Sequence, residues 1–173
     1  MGVRAECRLA CCTLRRLTLL CSRKTGRFSF QQDLSLAPLR REEIDVKQHV
    51  YEGAANLQRK QKVGDGDCVD LIKRYTDVGW TGRWRAGPQV LNNPAIKPGT
   101  AIATFVNGRW PGLSRGNHAA FFLRHGVNGF WVIDRYAEKK LIESRFIEIQ
   151  HPVQGRPYSI SNDARAFYVI ETP

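Results

Sequence analysis

Three residues with the chemistry of a cysteine hydrolase occur along the chain, Cys68, His118 and Asp134. A thiol attacks a carbonyl only as the thiolate, and a helix N-terminus favours that anion through its macrodipole and free backbone N–H groups. Cys68 follows the turn-forming cluster 64–67 and precedes apolar residues at helical spacing, so we expect it in the first turn of a helix. The alternative is a small buried hydrophobic residue, the ordinary role of a single cysteine in an amphipathic helix.

A histidine and an aspartate at the ends of two adjacent strands favour the catalytic interpretation. His118 opens the apolar run 118–123, and Asp134 ends the run 130–134, with a glycine-bounded turn between them. An antiparallel hairpin brings the start of its first strand beside the end of its second. Asp134 would then orient one imidazole nitrogen while the other faces the thiol. The alternatives are an aspartate that caps a turn and a histidine bonded to a loop carbonyl.

The elements that must position these residues change in type along the chain. Residues 48–62 contain helix formers with apolar positions at helical spacing, and a second helix is expected from Cys68 to Val78. The segment 79–99, with its glycines, prolines and tryptophans, is interpreted as a structured loop. Helices followed by antiparallel strands indicate an α+β fold, with N-terminal helices packed on an antiparallel β-sheet. The strands are expected over 100–106, 118–123, 130–134, 146–149 and 166–170.

Charge and cysteine content divide the chain near residue 47. Residues 1–47 carry nearly half of the formal net charge of +11 and four of the five cysteines, at spacings that suit neither a zinc site nor a disulfide framework. We interpret 1–47 as a disordered basic extension, or as a segment ahead of the true start, and 48–173 as one domain. No metal site is expected.

The sequence resembles a small bacterial family among the NlpC-type and CHAP (cysteine, histidine-dependent amidohydrolase/peptidase) domains in four segments, KVGDGDCVDLIKRYT, GTAIATFVNGRWP, GNHAAFFL and FWVIDRY. The resemblance runs from about residue 50 to 171. Because these domains are papain-like cysteine hydrolases, it implies a papain-like fold with Cys68 as nucleophile, His118 as base and Asp134 as the orienting residue. It implies no cofactor, since thiol chemistry of this type requires none.

The same resemblance implies a substrate and a role. Domains of this group cleave peptidoglycan, so the expected function is a cysteine amidase or endopeptidase that acts on stem peptides through a Cys68 thioester. They serve as wall enzymes, phage lysins or antibacterial toxins, and a toxin requires a partner immunity protein. The best signal-peptide candidate spans only residues 17–21, whereas export needs an apolar stretch of about 7–15 residues. We therefore expect synthesis in the bacterial cytoplasm, export by a specialised secretion system and no transmembrane segment.

Four further residues are expected to contact the substrate: Trp84, Asp67, Asn117 and Arg135. A tryptophan face stacks on sugar rings, although Trp84 would serve equally to close the core. Asp67 stands where the family often has a glutamine that helps bind the oxyanion, and a carboxylate cannot donate that hydrogen bond. Arg135 stands where the family tends to have another glutamine, and it would offset the acidic residues around Cys68.

The departures at Asp67 and Arg135 leave open a catalytically inactive cell-wall-binding module on the same fold. A nucleic-acid-binding protein is a further alternative, but it rests on positive charge alone and no recognition motif accompanies that charge. Nucleic acid is therefore not the expected partner. The other histidines, His49, His125 and His151, are expected on the surface.

Overall fold

The computed structural model describes residues 46–65, 67–136, 139–151 and 158–173, all within the compact unit Glu42–Pro173. The expected basic extension, residues 1–47, lies outside these ranges except for its last two residues, Val46 and Lys47. Within the described ranges, no helix is both long enough and apolar enough to cross a membrane.

Among the described residues, seven strands pair antiparallel in one sheet. They lie side by side in the order β1-β7-β3-β4-β5-β6, and β2 also pairs with β7. The seventh strand thus has a central position, because β1, β2 and β3 all pair with it. In chain order the strands are β1 (Lys47–Gln48), β2 (Arg85–Gln89), β3 (Ala101–Thr104), β4 (Ala119–Gly126), β5 (Gly129–Asp134), β6 (Glu143–Glu148) and β7 (Phe167–Thr172).

One α-helix, α1 (Cys68–Tyr75), is present among the described residues. Its buried side chains, Leu71 and Ile72, pack on the sheet in a core cluster that includes Phe121. The next residue of β4, Phe122, belongs to a second core cluster on the other face of the sheet, as the alternation of side chains along a strand requires. The middle of the sheet is therefore buried on both faces, and α1 covers one of them.

Residues 48–62 do not form the expected helix. They continue from β1 into a single 3-10 turn at Ala54–Leu57. The carbonyl of His49 accepts a hydrogen bond from the backbone N–H of Ala101 of β3 at 2.8 Å. Pairing with the sheet thus satisfies this backbone group, whereas a short helix would have only marginal intrinsic stability. The fold is accordingly an antiparallel sheet with few helices, and the expected layer of N-terminal helices is wrong.

The segment 79–99, interpreted as a loop, contains β2. Its sequence, RAGPQ, does not predict a strand, because glycine and proline are both unfavourable in the interior of a sheet. The register of β2 against β7 shifts between Ala86 and Gln89, and such an irregularity tolerates Pro88, which has no N–H to donate. The expected second helix is confirmed as α1, although it ends at Tyr75.

The expected hairpin between β4 and β5 is confirmed. β4 ends at Gly126 and β5 begins at Gly129, so Val127 and Asn128 form a two-residue turn in which Asn128 has φ 58°. Glycine is required at the end of this turn, because a Cβ on Gly129 would lie 2.1 Å from the carbonyl oxygen of Ile147. This hairpin places the start of one strand beside the end of the next.

His49 is buried, with 2% of its surface exposed, and the expectation that it lies on the surface is wrong. Its Nε2 lies 2.9 Å from Oγ1 of Thr172, and its Nδ1 lies 2.8 Å from Oδ1 of Asp77. The ring therefore ties the segment after β1 to the end of β7. His125 is half-buried, whereas His151 is exposed as expected.

Candidate active site

Cys68 is the first residue of α1, as the preceding turn cluster predicts. Asp67 occupies the N-cap position in an extended conformation, but its side chain makes no capping hydrogen bond. The cysteine is half-buried: it packs against the core cluster beneath α1 and also lines an open cleft. The N–H groups of a first helical turn have no partners within the helix, so they and the helix dipole favour an anion at this end.

One of the acidic residues near Cys68 is directed toward the preceding turn. Oδ2 of Asp70 accepts a hydrogen bond from the backbone N–H of Asp65 at 2.9 Å. Gly64 has φ 60°, and a Cβ at this position would lie 2.5 Å from the same oxygen. Glycine at residue 64 therefore allows the turn to pack against the carboxylate of Asp70.

His118 and Asp134 are brought together by the β4–β5 hairpin. Nε2 of His118 lies 2.7 Å from Oδ2 of Asp134, and the two residues are 2% and 3% exposed. The backbone N–H of His118 also donates to Oγ1 of Thr104 at 3.0 Å. Phe121 of β4 pairs with Ile133 of β5. Continued three residues past this pair, beyond the start of β4 and the end of β5, the same register places His118 opposite Tyr136.

The electrostatics of this pair support an anionic carboxylate and a basic imidazole. Burial opposes the charged form of His118, but hydrogen bonds to Asp134 and Cys68 outweigh that effect and raise its pKa above 6.5. Burial likewise disfavours the Asp134 carboxylate, but the hydrogen bond from His118 and the charges of His118 and Arg145 lower its pKa below 3.8. Because Asp134 contacts Nε2, Nδ1 is the imidazole nitrogen left for the thiol of Cys68, which lines the same cleft.

A second group of residues supports the carboxylate and the imidazole. Arg145 of β6 donates from Nε to Oδ2 of Asp134 at 2.6 Å and from Nη1 to Oδ1 of Asn162 at 3.1 Å. The hydroxyl of Tyr136 donates to the same Asn162 oxygen at 2.6 Å. The Tyr136 ring stacks on His118, with centroids 4.7 Å apart and an interplanar angle of 12°, and the Arg145 guanidinium lies 4.7 Å from the ring centroid of Tyr136.

Sequence reasoning missed this supporting group. Arg145 is paired with Val132 in the β5–β6 register, which places it diagonally across from Asp134 on the same face of the sheet. A sequence signal for it would require the exact register of β6, whose start lies three residues before the strand expected at 146–149. The alternation of side chains along a strand is enough to predict that Tyr136 lies on the same face as Asp134, since it follows Asp134 by two residues.

The cleft beside Cys68 has a volume of about 680 Å³. Three of the four expected substrate contacts line it: Asp67 at the helix start, Asn117 before His118, and Arg135 after Asp134. Asp67 is exposed, whereas the Oδ1 atom of Asn117 is buried without a hydrogen-bond partner among the described residues. The remaining lining residues include the exposed loop 112–115, Trp110, Tyr136 and Ser161.

The expected contact of Trp84 with substrate is corrected by its position. Its side chain is fully buried in the core beneath α1 and does not line the cleft. Its ring packs edge to face against Trp110, with centroids 5.3 Å apart, so it supports a residue that does reach the cleft. The alternative interpretation of Trp84, closure of the core, is the one that the structure favours.

A thiol at a helix start, an imidazole and a buried carboxylate define an acyl-transfer hydrolase as the class of this protein. Its family follows from comparison with known proteins: a family model named "Domesticated amidase effector 2" matches residues 43–170. The chain belongs to the domesticated amidase effector 2 family.

Two relatives extend this assignment. A curated protein of Salmonella typhi, "Type VI secretion amidase effector 2 protein", is 40% identical over 131 residues, which are 71% of this chain and 98% of the relative. A solved structure, "Type 6 secretion amidase effector 2", matches with a TM-score of 0.65 and 41% identity, and the match covers 72% of this chain and 94% of that chain. The expectation of an amide-cleaving hydrolase of the effector type is confirmed.

Proposed function

We propose that this amidase is a papain-like cysteine enzyme, related to the NlpC and CHAP domains, that cleaves an amide bond in peptidoglycan stem peptides. The observation that carries the proposal is the buried 2.7 Å contact of Nε2 of His118 with Asp134, which leaves Nδ1 for the thiol of Cys68 in the same cleft. A helix that begins at the nucleophile and packs on a sheet carrying the base supports the papain-like relationship.

The proposed reaction has two halves. The Cys68 thiolate attacks the amide carbonyl, forming a C–S bond and an oxyanion that the N–H groups at the start of α1 stabilise. His118 then gives its proton to the departing amine as the C–N bond breaks, which leaves a thioester. Water attacks the thioester while His118 takes a proton, and cleavage of the C–S bond releases a carboxylic acid and restores the thiolate.

The surroundings of the nucleophile support a division of roles. Asp134 keeps Nε2 occupied, so Nδ1 remains available for proton transfer. Asp67 lines the cleft as a carboxylate and cannot donate to an oxyanion, which places that task on the backbone N–H groups. The amide oxygen of Asn117, which has no hydrogen-bond partner in the described part of the chain, would accept from an N–H group of the substrate.

The proposed role is that of an antibacterial effector exported by a specialised secretion system. The Salmonella typhi relative is named for type VI secretion, which supports this route. Because the producer's own wall contains the same polymer, the enzyme must be neutralised wherever it reaches that wall, so we propose a partner immunity protein.

The test is digestion of purified peptidoglycan by the wild-type protein and Cys68→Ala, with the released peptides identified by mass spectrometry. The wild type should release peptides with a new amine and a new carboxylate, and Cys68→Ala should release none. Ser114→Ala is the matched control, because Ser114 lines the same cleft and has no place in the proposed chemistry.

Cleavage by a folded Cys68→Ala protein would refute the thioester mechanism. Binding of both proteins to insoluble peptidoglycan without any cleavage by either would instead establish the alternative, a catalytically inactive wall-binding module. Circular dichroism of each variant shows that the fold is retained.

A further inference from the structure

Arg135 is buried, and two of the three nitrogens of its guanidinium have no described partner. The residue is 2% exposed, and neither Nε nor Nη1 has a hydrogen-bond partner among the described residues. Burial of a charge is unfavourable unless another charge or a set of hydrogen bonds compensates it. The structure therefore retains a cation whose charge no described side chain compensates.

Two other arginines of the domain are paired with carboxylates. Arg145 is bonded to Asp134 and Asn162, and Arg165 is paired with Asp163. Arg135 shares no ion pair with any described carboxylate, and the adjacent Asp134 has its Oδ2 occupied by His118 and Arg145. Among the described residues, Arg135 is therefore a buried cation that is available to an anionic ligand.

The position of Arg135 indicates what that anion belongs to. It lines the cleft together with Cys68, Asp67 and Asn117, so a ligand held by Arg135 also lies at the nucleophile. A planar guanidinium matches the geometry of a carboxylate and forms strong charge-assisted hydrogen bonds with it. Peptide substrates carry such carboxylates close to their amide bonds.

We propose that Arg135 is a specificity-determining residue that binds a free carboxylate of the substrate next to the amide bond attacked by Cys68. The inference rests on the proposed function for the identity of the amide, and it adds the requirement that the adjacent group be ionised. A substrate in which that carboxylate is a carboxamide leaves the buried charge of Arg135 uncompensated, and the site disfavours it.

The test uses two synthetic stem-peptide fragments that are identical except that one has a carboxylate and the other a carboxamide beside the scissile amide. Binding is measured by calorimetry on Cys68→Ala, which separates recognition from cleavage. We expect the carboxylate peptide to bind at least about tenfold more tightly than the carboxamide peptide. Cys68→Ala combined with Arg135→Gln should bind the two equally, with carboxamide binding unchanged.

Two further variants distinguish recognition from a general role. Arg135→Lys in the same background keeps the charge and should retain part of the preference, because an ammonium still pairs with a carboxylate. Arg115→Gln is the matched control: Arg115 lines the cleft but is exposed, and its loss should leave the preference intact. Equal binding of both peptides by Cys68→Ala, or an equal loss of both on Arg135→Gln, would overturn the proposal.

Stability gives a readout that a structural arginine would not share. Arg135→Met removes an uncompensated buried charge, so the melting temperature of the free protein should stay the same or rise. A large fall would show that Arg135 holds the fold together, and the proposal would then fail. Cleavage of peptidoglycan by Cys68→Ala would refute the thioester mechanism alone, because the binding comparison does not depend on catalysis.

Discussion

Arg145 donates from Nε to Oδ2 of Asp134 at 2.6 Å, and it reaches the same oxygen that His118 contacts at 2.7 Å. One buried carboxylate oxygen is thus shared between a permanent cation and a titratable imidazole. Asp134 stabilises the protonated form of His118, whereas Arg145 competes for the oxygen and repels the imidazolium. These two neighbours therefore act on the pKa of His118 in opposite directions, beside the effects of burial and of Cys68.

Asp134→Asn should shift the alkaline limb of the pH–activity profile to lower pH. The active form pairs a thiolate with a protonated His118, so this limb reports the loss of the imidazolium proton. The pKa of His118 is raised above 6.5 in part by Asp134, and removal of the carboxylate lowers it. We also expect kcat to fall by about 10²-fold or more, because an amide does not fix the same tautomer. An unshifted limb would contradict the orienting role.

Arg145→Met should move the same limb in the opposite direction. Without the guanidinium, the carboxylate of Asp134 interacts with His118 alone, the imidazolium is favoured, and the pKa of His118 rises. The hydrogen bond to Asn162 is also lost, and we expect a destabilisation of about 1–3 kcal/mol. The pH dependence of kcat for this variant and for Asp134→Asn, measured side by side, checks the two signs. If the alkaline limb shifted in the same direction in both variants, Asp134 and Arg145 would not have opposite effects on His118.

Alkylation of Cys68 at pH 6 should be rapid in the wild type and slow in His118→Ala. A protonated imidazole that faces the sulfur stabilises the thiolate, and its removal leaves only the helix N-terminus to do so. The rate of iodoacetamide labelling between pH 5 and 9 measures the effect, and Cys68→Ala accounts for labelling of the other cysteines. Tyr136→Phe is the control, because it preserves the ring that stacks on His118. Identical profiles for wild type and His118→Ala would show that the two residues do not act as a pair.

Asp163 should account for a distinct part of the acid sensitivity of the fold. The carboxylate is fully buried, and burial raises its pKa, but hydrogen bonds from Arg165, Tyr158 and backbone N–H groups outweigh that effect and lower it to about 2. Because the pKa of Asp163 is lowered from 3.8 to about 2, its carboxylate stabilises the fold above pH 3.8. This contribution is lost as the pH falls through about 2.

The variant Asp163→Asn should therefore cost about 1–3 kcal/mol at neutral pH and show a flatter loss of stability between these two pH values. Urea unfolding at several pH values measures both effects. Asp77 is the contrasting case, because its carboxyl is largely exposed and Asp77→Asn should change stability much less. An Asp163→Asn protein with wild-type acid unfolding would contradict the assignment.

The parts of the fold that sequence predicts are local ones. The β4–β5 hairpin is visible because two apolar runs flank a glycine-bounded turn, and α1 is visible because apolar residues follow Cys68 at helical spacing. The hairpin suffices to predict that His118 and Asp134 lie together, whereas the approach of Cys68 to them depends on the packing of α1 and was expected from the family resemblance.

The parts that sequence does not predict depend on distant pairing. β1 and β2 are recognisable only from their partner β7, which begins at residue 167, and their own sequences suggest a helix and a loop. His49 is buried because Thr172 lies beside it, and no pattern within residues 48–62 contains that information. The position of Arg145 similarly depends on an exact register, in which an error of one residue would reverse the face.

The central position of β7 has a consequence for the cell that makes this protein. During translation the ribosome releases residues 167–172 after every other described strand, although β1, β2 and β3 all pair with these residues. The same segment supplies Phe167, whose ring packs edge-on against His118 with centroids 6.5 Å apart. Between the synthesis of His118 and that of Phe167, a nascent chain therefore carries Cys68 and His118 without the complete sheet that aligns them. The producing cell meets a competent enzyme only after the final strand has been made.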